Sequence, residues 1–63
     1  MTELKTQIVQ RATEALTSLR IAETEEDLHL VDVRTGELES LARTAIEHGL
    51  EVDELRPFMP SLV

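Results

Sequence analysis

Leu28-His29-Leu30-Val31-Asp32-Val33-Arg34 is the segment on which two architectures diverge. Leu28, Val31, Thr35, Leu38, Ala42 and Ala45 continue a heptad-like apolar stripe, the mark of a helix with one buried face. Leu30 and Val33 fall off that stripe, and the β-branched Val31 and Val33 suit a short buried strand. A lone strand in so small a chain needs a partner strand, most simply from a second copy. The preceding run, Glu23-Thr24-Glu25-Glu26-Asp27, favours the helix. Thr24 and Asp27 stand three apart, as in a capping box, with two glutamates between them where a helix dipole favours anions. The segment is therefore expected to be helical, beginning near Thr24. The alternative is an α-β-α arrangement with residues 28–34 paired as a strand across a dimer.

Upstream, apolar residues recur at Leu4, Ile8, Ala12, Ala15, Leu19 and Ala22, spacings of four, four, three, four and three. That is one face of a helix, broadened by Leu16 and more weakly by Val9, and no Gly or Pro interrupts it. A helix is expected from about residue 3 to 22, with Thr2 as N-cap and Glu3 in its first turn. Downstream, Thr35-Gly36 reads as the best internal break, since glycine costs about 1 kcal/mol relative to alanine inside a helix. Residues 37–48 are again strongly helical in pattern, with Leu38, Leu41, Ala42, Ala45 and Ile46 on one side and an (i, i+4) pair Glu39–Arg43. His48-Gly49 reads as a C-terminus, the glycine free to take the left-handed cap and Leu50 placed to fold back on the last turn. Residues 52–56 suit one or two further turns, Pro57 and Pro60 preclude a long continuation, and Phe58, Met59, Leu62 and Val63 form an apolar tail.

With 63 residues the chain is expected to be one domain, 1–63, close to the lower limit for independent stability. It contains no cysteine and a single aromatic residue, Phe58, so its core must come from Leu, Ile, Val and Ala without a disulfide or thiolate metal site to reinforce it. The expected fold is all-α, a bundle of three to four helices completed by dimerisation.

Thirteen acidic and six basic residues give a formal net charge of −7. Residues 1–20 carry +1, from Lys5, Arg11 and Arg20 against Glu3 and Glu14, while residues 21–63 carry −8. Duplex binding draws its affinity from Lys and Arg on phosphates, and anionic membranes attract the same residues, so both partners are disfavoured. No apolar run approaches a membrane span and the N-terminus lacks a basic-then-apolar leader, so the expected location is cytoplasmic.

Four constellations bear on function. Residues 41–55 have a helix-turn-helix outline, with Ala45 at the helix crossing, Gly49 in the turn and Leu55 as anchor. Its second helix, however, offers Glu51, Asp53 and Glu54 to DNA against Arg56 alone. His29 and His48, with Asp32, Glu47 and Glu51 nearby, are conceivable ligands, but no ligand-pair spacing joins them. The acidic clusters 23–27 and 51–54 could mimic phosphates, although acidic clusters more often keep a surface solvated. No phosphate loop, nucleophile elbow or aromatic pocket wall is present, so neither catalysis nor a cofactor is expected. The apolar stripe exceeds what a small core can use. The expectation is a protein-interaction or regulatory module acting as a homodimer or on a larger protein. Its contact residues are Leu4, Ile8, Leu16 and Leu19 on the first helix and Phe58, Met59 and Leu62 in the tail. The alternatives are a helix-turn-helix regulator whose dimer gathers Lys5, Arg11 and Arg20, and an acidic DNA-mimic inhibitor.

Overall fold

A computed structural model of the chain describes residues 3–59. Helix α1 spans Glu3–Thr24, helix α2 spans Leu28–Glu47, and a 3₁₀ helix follows at Asp53–Phe58. There is no strand among the described residues. The segment 28–34 is the start of α2, which overturns the strand alternative. Thr2, expected as the N-cap of α1, lies outside the described residues.

α1 and α2 form an antiparallel hairpin, and the turn between them explains its sharpness. The Glu26 N–H donates to Glu23 O at 3.2 Å and the Asp27 N–H donates to Ala22 O at 2.9 Å, which together close the C-terminus of α1 as a Schellman motif. That closure needs a left-handed residue, and Glu26 takes it at φ 58°. One residue later the Asp27 carboxylate accepts the Leu30 N–H at 3.1 Å and caps α2. Asp27 therefore ends one helix with its backbone and starts the next with its side chain. The capping residue differs from the expected Thr24, whose hydroxyl donates to Arg20 O inside α1. Once the Asp27 N–H is committed to Ala22, its carboxylate is the oxygen in place to receive the Leu30 N–H, one of the free donors in the first turn of α2.

The expected break at Thr35-Gly36 does not occur. α2 runs through both residues, since Leu38, Ala42 and Ala45 share one buried face with the half-buried Val31 and Thr35 upstream, and a single glycine is too weak to interrupt it. Among the described residues the expected three to four helices resolve into two long helices and one short 3₁₀ helix. α2 ends in a second Schellman motif, Gly49 N–H to Ile46 O at 3.0 Å and Leu50 N–H to Ala45 O at 2.8 Å, with Gly49 at φ 65°. The expected Glu39–Arg43 pair is not formed. The ion pairs among the described residues are Arg34–Glu37 and Arg56–Asp53, the latter exposed and at 3.2 Å.

One core joins all three elements: Ile8, Ala12, Ala15 and Leu19 from α1, Leu38, Ala42 and Ala45 from α2, and Val52 and Leu55 from the last segment. The alanines let the helix backbones approach closely, so among the described residues only Leu38 and Leu55 are large side chains sealed completely from water. The 3₁₀ helix packs chiefly on α2 and secondarily on α1. The result is a slab measuring 15 Å across its shortest Cα dimension, a helix pair with a partial second layer.

Candidate interaction surface

An open groove of about 770 Å³ runs between α1 and α2, and among the described residues its walls come from those two helices. Gln7, Gln10, Arg11, Glu14, Ala15 and Ser18 line it from α1, facing Arg34, Glu37, Ser40 and Leu41 of α2. Helical geometry explains the grouping. With 3.6 residues per turn, these α1 residues flank the core stripe on one side, whereas Val9 and Leu16 flank it on the other and pack against the core. Its floor is apolar, Ala15 and Leu41, and its walls carry two arginines and two glutamates.

Arg34 is the fixed element of the groove. Its Nε donates to Ser18 Oγ at 2.8 Å across the helix pair, and its guanidinium pairs with Glu37 one turn along α2. Arg11 and Glu14 make no ion pair or side-chain hydrogen bond among the described residues, and both are exposed. Sequence reasoning missed this groove because charged residues on a helix ordinarily signal a solvated face. The available signal was positional: Ser18 and Arg34 are equidistant from the turn at Glu26, so an antiparallel hairpin sets them opposite each other.

The residues expected to make contacts fall into three environments. Ile8 and Leu19 are buried in the chain's own core. Leu16, Phe58 and Met59 are half-buried and packed against it, while Leu4 is exposed at the start of α1. Leu62 lies outside the described residues. Beyond Leu4, the exposed large hydrophobics among the described residues are Ile21, Leu28, Val33 and Ile46, none of which was singled out for contact from the sequence.

His29 and His48 stand at opposite ends of α2, the second as its C-cap. Nineteen intervening rises of 1.5 Å separate them by roughly 28 Å, too far to share an ion within one chain. No group of three or more metal-ligating residues comes together among the described residues. In the helix-turn-helix outline, the second helix is the six-residue 3₁₀ helix with Pro57 inside it. Of Lys5, Arg11 and Arg20, only Arg11 lines the groove. No helix among the described residues is long and apolar enough to cross a membrane.

Comparison with known proteins adds no relative: no family model, curated protein or solved structure matches this chain.

Proposed function

We propose that this chain is a small acidic interaction module that works by protein–protein contact, with a second copy of itself as its first partner. One observation carries the reading. Among the described residues, Ile8, Leu19, Leu38, Val52 and Leu55 are the large aliphatic side chains in the core, while Ile21 and Leu28 are more than half exposed and Leu4, Val33 and Ile46 about two-fifths exposed. A chain with so few large side chains gains roughly 1.5–3 kcal/mol for each one it buries. Leaving part of each of the five exposed ones in water is costly for a small domain unless association covers them. The thin slab supports the same reading, because hairpins of this kind commonly complete their second layer with another hairpin.

Sedimentation velocity from low to high micromolar concentration, with thermal unfolding at each concentration, tests the proposal. A dimer whose melting temperature rises with concentration is the expected result. A monomer throughout, unfolding cooperatively at a concentration-independent temperature, would overturn it.

A further inference from the structure

We infer that the groove between α1 and α2 seats a second copy of this chain, with the two α1 helices antiparallel and Arg11 of each protomer meeting Glu14 of the other. The inference rests on the self-association proposed above and names its surface; none of the exposed aliphatics of that proposal lines the groove, but Leu4 and Ile21 continue its face of α1 at either end.

Charge is the first argument. The chain carries −7 overall, yet the groove holds Arg11 and Arg34 against Glu14 and Glu37 and is neutral. The remaining eleven acidic and four basic residues account for the whole excess. Two copies therefore repel each other across the rest of their surfaces taken together, and approach without that penalty at the groove. A basic partner would be drawn instead to the acidic surfaces.

Symmetry is the second argument. A two-fold interface places the same patch against itself, so it must hold both signs, arranged so that residue i meets residue j and j meets i. Arg11 and Glu14 satisfy this condition. They lie one turn apart on α1, in the same groove, exposed and without an ion pair inside the chain among the described residues. A two-fold axis crossing α1 between them brings each onto its opposite number twice. Arg34 is already held by Ser18 and Glu37, which leaves Arg11 and Glu14 free to reach across. The floor of Ala15 and Leu41 and the amides of Gln7 and Gln10 supply the apolar centre and hydrogen-bonding rim typical of a non-obligate interface.

The reciprocal pairing makes an unusual demand on variants. Arg11→Glu alone and Glu14→Arg alone place like charges together twice per dimer. Each should weaken self-association by about tenfold or more, equivalent to about 1.4 kcal/mol or more. Mixing the two single variants restores both pairs. The introduced glutamate of one chain then meets the introduced arginine of the other, and the native Glu14 of the first meets the native Arg11 of the second. Sedimentation of the mixture should recover a dimer of about wild-type affinity. Arg43→Glu, the same charge change on an exposed residue outside the groove, should leave association within about threefold of wild type. Circular dichroism checks that each variant is folded. Single variants that dimerise like wild type, a mixture that fails to recover, or Arg43→Glu weakening the dimer as much as Arg11→Glu, would each overturn this surface while leaving self-association standing. A monomeric wild-type chain would overturn both.

Discussion

Ser18 and Arg34 are joined across the hairpin by a 2.8 Å hydrogen bond from Nε to Oγ, the one side-chain hydrogen bond linking α1 to α2 among the described residues. The core contacts between the helices are apolar and tolerant of sliding, whereas this bond has a single register. Ser18→Ala leaves a guanidinium N–H short of its partner in a half-buried site. We expect a loss of about 1 kcal/mol, toward the lower range for a charged donor because water still reaches part of Arg34. A double-mutant cycle with Arg34→Met, read by urea unfolding, should return a coupling of similar size. Additive losses would show that the bond contributes nothing to the register.

Gly36 sits inside α2 with nothing within 4 Å of the place a Cβ would occupy, and it is exposed. Its backbone is helical, so it contributes no special conformation while carrying the entropic cost of glycine. Gly36→Ala is therefore expected to stabilise the chain by about 1 kcal/mol and raise the melting temperature by about 4–8 °C. A fall in melting temperature would mean that α2 needs a pliable point at this residue.

Gly36 also shows where the sequence was legible and where it was not. The stripe Ile8, Ala12, Ala15, Leu19 repeats at helical spacing without a rival period, and α1 follows it to within two residues of the expected end. Gly36 was expected to break a helix because local propensity is visible in a sequence, while the burial of Leu38, Ala42 and Ala45 that outweighs it is not. The N-cap was misplaced for a related reason. Thr24 and Asp27 are both favourable capping residues by type, and the choice between them depends on the Asp27 N–H closing back on Ala22, a tertiary fact of the turn. The groove was the least legible. It exists only once the two helices are set side by side in their register, and its charges carry no periodic signature apart from the core they flank.

The turn itself can be tested at two adjacent residues with opposite expectations. Glu26 holds φ 58° without the freedom of glycine. Glu26→Gly should relieve that conformation and stabilise by up to about 1 kcal/mol, the left-handed penalty less the entropy glycine adds to the unfolded chain. Asp27→Ala should cost about 1 kcal/mol by removing the cap of α2, while Asp27→Asn, an equally good N-cap, should cost little. Thermal unfolding of the three variants separates a capping role from a general charge effect, because Asp27→Ala and Asp27→Asn remove the same charge. Equal losses in both would refute the cap.

Leu38 is fully buried, and Leu28, ten residues earlier on the same helix, is 76% exposed. The contrast sets up the most demanding test of the packing. Leu38 belongs to a core in which half of the other members are alanines, Ala12, Ala15, Ala42 and Ala45, whose side chains cannot swing in to fill a hole. Truncating it should leave a persistent cavity, and Leu38→Ala is expected to cost about 3–5 kcal/mol, the upper part of the range for buried leucines. A chain of this length has only about 3–9 kcal/mol in total. The variant should therefore be substantially unfolded near room temperature, with a weak helical signal by circular dichroism. Leu38→Met keeps the volume and should lose less than about 1.5 kcal/mol. Leu28→Ala removes the same atoms from water-exposed positions and should change the stability of the monomeric chain, read at concentrations below self-association, by less than about 0.5 kcal/mol. If Leu38→Ala remains folded with a loss no greater than that of Leu28→Ala, α2 does not pack through Leu38, and the helix pair must be held in some other register.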